Sequence, residues 1–554
     1  NLLTENIELY INGQIANLLD EPMFKINIVD SKIDRNSLSN IIPEISKDLP
    51  DFRNLLLRNM AISGNERQIF SNFDIQVDNG ILSGKAELIF AEPIRYNLNI
   101  STNNFELAAV IPEKAFRGNL NSQISINGVG TSLDELNASV NINSNNSTIE
   151  DISFNKLELV ANYKNYQLEI GKFFIQFDND TIINRSINIT GGASLKNIKQ
   201  PDYNFDIFLN SLNLRKLLRN EDLPDLLTSE IKIQGSNFNI DDAVADINID
   251  IKKIRNEKIS NKPTQINVGV NFNARNKLFE LESDFAEIKL VGNFSTLNVF
   301  ENIAKQFEFI GQKLSNDISY SVKFYKPQDT IEVNYPKLLL DSSSYIDLSV
   351  NFKDLSFINL FFSEMAFSGA VYSKLTYYNN SRNSYLSVDT LKLDNFNILN
   401  DDFNLSIYKS NLNVVYNVNV DSLHNPQLSY IEAEIISDSS VIINKNQLDK
   451  TNINVYYAEQ ILNYNIETEY NRAYSVFSKG AIDFSTKFVT ITADSLAIKY
   501  KEQLWTNNRN IQFTIADNFI NIDNLQIERK GFEKLILSGT ILNNSAENLN
   551  LTLT

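Results

Sequence analysis

Apolar residues recur at every second position along most of this chain. In residues 119–127, NLNSQISIN, Leu120, Ile124 and Ile126 share one parity and polar side chains take the other. The alternation returns at Ala138, Val140 and Ile142, at Leu157, Leu159, Ala161 and Tyr163, and at Ile231 and Ile233. It continues through Ala245, Ile247, Ile249 and Ile251, then Ile266, Val268, Val270 and Phe272. Successive strand side chains point to opposite faces, so the pattern predicts antiparallel sheet that is dry on one side only. Asn, Asp, Ser and Gly interrupt it at intervals of roughly 8–12 residues, the turn rhythm of an all-β chain. Helical spacing is local. Phe300, Ile303, Phe307, Ile310 and Leu314 form one apolar stripe, which predicts an amphipathic helix near 297–314. Shorter candidates lie at 38–49, 107–114 and 215–218.

The second constraint is a long internal repeat. YNLNISTNNFEL (96–107) is answered by YNFDIFLNSLNL (203–214) at an offset of 107 residues. Gly84 and Gly191, and Gly128 and Gly235, keep the same offset, as do TSLDELNASVNI (131–142) and FNIDDAVADINI (238–249). Two units near 84–190 and 191–297 follow; 298–479 holds divergent repeats and the helix, and 480–554 further strands. So long a unit is a block of wide antiparallel sheet rather than a rung of a short-repeat solenoid. With 11 Pro and 18 Gly in 554 residues and no linker, one continuous elongated body is expected. About 35–40 strands at ~4.8 Å each would extend on the order of 170–190 Å. Such a sheet must curl until its apolar face is internal, because an exposed face of that size aggregates.

Composition excludes several functions. A net charge of −18 leaves no basic footprint for nucleic acid and disfavours adsorption to anionic headgroups. Cysteine is absent, which rules out thiolate metal sites and disulfides and is compatible with an oxidising compartment. No run of about 18 apolar residues predicts a membrane-spanning helix. His424, the one histidine, lies in the turn-like DSLHNPQ, so no His-based metal site or catalytic triad is available. The neighbouring carboxylates Asp241-Asp242 and Asp401-Asp402 would point to opposite faces of a strand and read as surface turns, not as an acid/base pair. Phosphate-binding glycine loops and nucleophile elbows are missing. Trp505 reads as a packed strand-end aromatic. No cofactor is expected, and the chain reads as a non-enzyme.

The unit of Gly84, Tyr96-Asn97-Leu98-Asn99-Ile100 and Leu107, followed by Ile124-Ser125-Ile126-Asn127-Gly128-Val129-Gly130 and Leu133, Leu136, Ala138, Val140 and Ile142, resembles the TamB-type members of the AsmA-like superfamily. Residues 504–541, from Trp505 through Ile511, Phe513, Ile515, Ile520, Ile522, Leu525 and Ile527 to Leu535, Leu537 and Gly539, are similar to such proteins too. The resemblance covers 84–300 and 480–554; between about 330 and 470 only the alternation remains. It implies a periplasmic protein tethered to the inner membrane, with a curled, taco-like β-groove conducting phospholipid toward the outer membrane. It also implies outer-membrane assembly with a barrel partner, through a C-terminal domain outside this chain. The chain opens on Asn1 and closes in mid-alternation at LNLTLT, so it reads as a segment of a longer protein.

The expected groove lining is Leu98, Ile100, Ile124, Ile126, Val140 and Ile142, with the repeat mates Phe205, Ile207, Ile231, Ile233, Ile247 and Ile249. Acyl chains need no convergent polar groups, and none is visible. Two other classes remain: a structural or adhesive β-solenoid with a filled core, and, more distantly, a carbohydrate-active solenoid enzyme lacking a carboxylate cluster. The helix near 297–314 is expected to cap a groove mouth or plug a sheet edge.

Overall fold

The structure, a computed structural model, describes all residues except 1, 4–6, 20, 38–51, 108–117, 151, 178–184, 257–259, 262, 274–275, 323–343, 361–364, 381–382, 400–402, 421–425, 487, 517–518, 530–532 and 543–547. The chain is all-β, a large antiparallel sheet with 35 strands among the described residues. It divides into two compact units, residues 1–238 with 245–266 and residues 239–244 with 267–554. The helix candidates at 38–49 and 107–114, together with His424 and Asp401-Asp402, lie outside the described residues. The candidate at 215–218 is the short helix Leu214–Leu218, started by Asn213, whose side chain accepts from the Lys216 amide.

In the first unit each strand from Met23–Asp34 to Leu226–Ser236 pairs with its sequence neighbours. The repeated motif occupies the strands Arg95–Glu106 and Asp202–Leu212. Tyr96 stands opposite Gly128 and Tyr203 opposite Gly235, which explains why both tyrosine and glycine recur. A Cβ on Gly128 would lie 2.4 Å from the Tyr96 ring, so the glycine leaves the space that the ring fills.

The tail of the motif is a repeated bulge. Asn104 (φ 46°) and Ser211 (φ 51°) adopt left-handed backbone, and the ladder shifts register there, between Thr102 and Phe105 and between Leu209 and Leu212. The displaced amides keep partners: the Asn104 amide donates to Asn121 Oδ1 (2.7 Å) and the Ser211 amide to Thr228 Oγ1 (3.0 Å). Past the bulge, Phe105 (4% exposed) and Leu212 (3%) turn inward, Phe105 against Phe52 and Val77. Each copy therefore builds one face and then one buried corner.

In the second unit the strands Lys277–Ser283 and Ala286–Asn293 precede a helix, Thr296–Val322, longer than its stripe predicts. Antiparallel strands resume at Ser344–Phe352 and run through Glu533–Leu542. No helix among the described residues is long and apolar enough to cross a membrane.

Phe105→Ala should lower unfolding free energy by about 3–5 kcal/mol, the range for emptying a packed aromatic site. Phe70→Ala, on a side chain 38% exposed, should cost far less. Urea denaturation of both variants checks the assignment of the corner.

Candidate functional site

The first unit carries the expected face, and the strand registers show how it is assembled. Leu98 stands opposite Ile126, and Ile126 opposite Val140; Ile100, Ile124 and Ile142 form the adjacent row. In the second copy Phe205 faces Ile233 and Ile207 faces Ile231. The two sets are joined strand by strand. Val140 and Ile142 pair with Ala161 and Leu159, those with Ile170 and Phe173, and those with Gly191 and Ile189, the partners of Phe205 and Ile207. Upstream the rows continue through Ala86 and Gly84, Ser71 and Phe73, and Ile62 and Met60, to Ile26 and Ile28. Ile247 and Ile249 alternate with polar residues along the strand Val244–Arg255, between the buried Ala245 and Ile251.

Two adjacent apolar rows thus cross twelve successive strands, with Ser71 their one polar side chain. All twelve lining candidates are half-buried, not buried, so water reaches the face they make. The opposite face is polar, with charged side chains such as Lys85, Glu158, Lys172, Asp206 and Lys232 flanking a neutral, asparagine-rich middle. Asn97, Asn99, Asn127, Asn141 and Asn143 are exposed there, and Asn99 and Asn143 donate along their own strands to Asn97 and Asn141. Sequence reasoning stopped short at the bulge between Ile170 and Phe173. A strict period of two puts Lys172 on the apolar face, whereas the extra residue returns Phe173 to it.

In the second unit a helix covers part of the apolar face, while Ile498, Trp505, Ile527 and Leu535 in its C-terminal strands stay half-buried and open. The helix packs on a cluster of Phe272, Leu290, Phe294, Ile346, Tyr377, Leu386, Tyr416 and Val418, into which Phe309 inserts at 0% exposure. The expected stripe is only partly right. Ile303, Ile310 and Leu314 do pack inward, but Phe307 is 53% exposed, its ring edge-on to Tyr416 at 5.9 Å. The buried helix face also carries two polar residues that no apolar stripe reveals. Gln306 is fully buried and satisfied at both ends: Nε2 donates to Tyr377 Oη (2.9 Å) and Ser384 Oγ (2.6 Å), and Oε1 accepts from Tyr416 Oη (2.9 Å). Asp317 accepts from the Tyr457 hydroxyl and the Lys313 ammonium. Burial pushes the Tyr377 and Tyr416 phenols above their ordinary range, so both remain neutral, Tyr377 accepting from Gln306 and Tyr416 donating to it.

Asp241 lies in a turn, as its sequence suggests, but its half-buried side chain is engaged there. Its carboxylate accepts from the Thr296 amide (2.7 Å) at the start of the helix and from Lys277 Nζ (2.9 Å). Lys277 is itself buried, its ammonium 5.4 Å from the Phe272 ring centroid and 5.5 Å from that of Phe294. Asp242 stays exposed and accepts from Asn239. Among the described residues no cluster of three His, Cys, Asp or Glu is placed to hold a metal ion.

Gln306→Leu should destabilise the chain by about 1–3 kcal/mol, because it leaves buried hydroxyls unpartnered. Adding Tyr416→Phe should recover part of that loss, and a double-mutant cycle in urea measures the coupling. The Thr296 amide, then the Lys277 ammonium, hold the Asp241 carboxyl below its ordinary value of 3.8. Its contribution to stability is therefore complete above that value and lost as pH falls through the lower, folded one. Protection of the helix amides, taken relative to their intrinsic exchange rates at each pH, should fall on acidification, and less so in Asp241→Asn. Comparison with protein-family models, curated proteins and solved structures gives no match.

Proposed function

We propose that the chain is a non-enzymatic conduit in the periplasm, its apolar β-face carrying phospholipid acyl chains between inner and outer membrane in support of outer-membrane assembly. One observation carries this reading: the pair of apolar rows, interrupted only by Ser71, across twelve strands of the first unit, left half-buried. At ~4.8 Å per strand the rows run for roughly 50 Å. An extended acyl chain spans about half of a ~30 Å hydrocarbon core, so several fit along such a path. Apolar contact is non-directional, which suits a cargo that must slide rather than lock. The mechanism is passive: the face shields methylenes while headgroups stay in water, and direction comes from elsewhere.

The filled-core reading has one observation in its favour, the helix that covers part of the apolar face of the second unit. Extraction and mass spectrometry of chain purified without detergent separate the two. Stoichiometric phospholipid is expected, and lipid-free, folded protein would sink the conduit. Ile126→Asp with Ile233→Asp should abolish lipid loading while leaving strand content by circular dichroism largely intact. Unchanged loading in that folded variant would show that these rows are not the lining.

A further inference from the structure

In the first unit the antiparallel succession sends alternate turns to the same rim of the apolar face. One rim gathers the turns at 17–22, 66–67, 90–94, 130–136, 165–166, 195–201 and after Ser236. Five of these seven turns carry an exposed large apolar side chain: Leu18 and Leu19, Phe90, Leu133, Ile198 and Phe238, from 37% exposed at Leu133 to complete exposure at Leu19. A single exposed leucine means nothing. A series along one rim does, because turns are normally the most polar part of a sheet.

Two contacts tie this series to the apolar face. The Phe238 ring stacks on Tyr203 (centroids 4.9 Å apart, planes 13°), and the Tyr163 hydroxyl donates to the Leu133 carbonyl (3.1 Å). Tyr96, Tyr163 and Tyr203 alternate in step with Leu98, Ala161 and Phe205, so they share the lining face, one pleat nearer this rim. Tyrosine belongs where one end of a site is apolar and the other wet.

The opposite rim is built differently. Toward it the same face passes into the buried Val77, Phe105, Phe154 and Leu212. Thr102 and Ser122 are buried there as well and bond to each other (2.7 Å) rather than to solvent. Leu218 is the one exposed large apolar residue among the described residues of that rim. Among the described residues, one rim is tyrosine-edged and tipped with exposed apolar side chains, and the other is lined by buried ones.

We propose that this asymmetry orients the cargo. The phospholipid headgroup and ester region lie along the turn rim, beside the exposed apolar tips, and the acyl ends point toward the rim of buried side chains. The inference rests on the conduit reading and adds the lipid's direction to it. The tips are set one or two to a turn along the rim. They suit a file of slim molecules, each gripped where its chains leave water.

The test uses phosphatidylethanolamine carrying a photoreactive diazirine, either on the headgroup amine or at the end of one acyl chain. Each probe is loaded onto the purified chain, and the labelled peptides are mapped by mass spectrometry. The headgroup probe should label 90–94, 131–136 and 195–201 several-fold more than 78–79 and 213–225; the acyl-end probe should label the strands and the rim of buried side chains. Equal headgroup labelling of both rims, with the acyl-end probe still on the apolar face, overturns the orientation and leaves the conduit standing. If neither probe labels the apolar face of the first unit, both readings fall together.

Discussion

Everything in this structure depends on strand register. A slip of one residue moves an entire strand's apolar set to the solvent face, so a face twelve strands wide exists only if every pairing is held. The sequence holds it locally, at each pair. Tyr96 fills the space above Gly128, and Ile100, Ile124 and Ile142 meet in line. The side chain of Asn121 receives the amide that the Asn104 bulge displaces. Apolar burial alone would not choose among registers two residues apart, since each keeps the same face. The bulges and the tyrosine–glycine pairs do choose, and they recur with the repeat.

The two units meet the same physical problem with opposite solutions. A broad apolar sheet face in water is unfavourable, and it is relieved either by covering it or by curling it around something else. The second unit covers part of it with a helix of its own, and does so with polar anchors. Gln306 and Asp317 lie on the buried helix face, and their partners are tyrosines projecting from the sheet. Buried amides and carboxylates add little net stability compared with an apolar pair, but they admit few alternative seatings. Rotation or translation of the helix would strand Gln306 beside apolar side chains. That penalty fixes its position more sharply than packing of isoleucines could.

How much of this was legible in the sequence follows from where a period of two holds. The all-β fold and the mutual pairing of Leu98, Ile100, Ile124, Ile126, Val140 and Ile142 were readable, because no bulge falls between these residues. The same holds for Phe205 and Ile207 against Ile231 and Ile233. Phe173 was not readable, since the Ile170 bulge shifts parity, nor was the corner at Phe105, which depends on left-handed backbone at an asparagine. The helix stripe misled at Phe307 because residues are inward or outward by the shape of what they meet, and hydrophobicity reports only an average preference. Asp241 shows the same limit for charge. Its partners, the Thr296 amide and Lys277, are 55 and 36 residues away, so proximity in sequence could not reveal them.

The rims bring these constraints together. A sheet with one apolar face has two margins where that face must meet either water or more protein. In the first unit the repeated bulges bend one margin into buried corners, while the other ends in turns. Had both margins been sealed by corners, the face would be an ordinary core; had both been left as turns, nothing would distinguish the ends of a bound amphiphile. The repeat places its bulge at the same end of each copy, after Ile100 and after Ile207. The buried corner therefore belongs to the repeating unit itself, and each copy places it at the same end of the face.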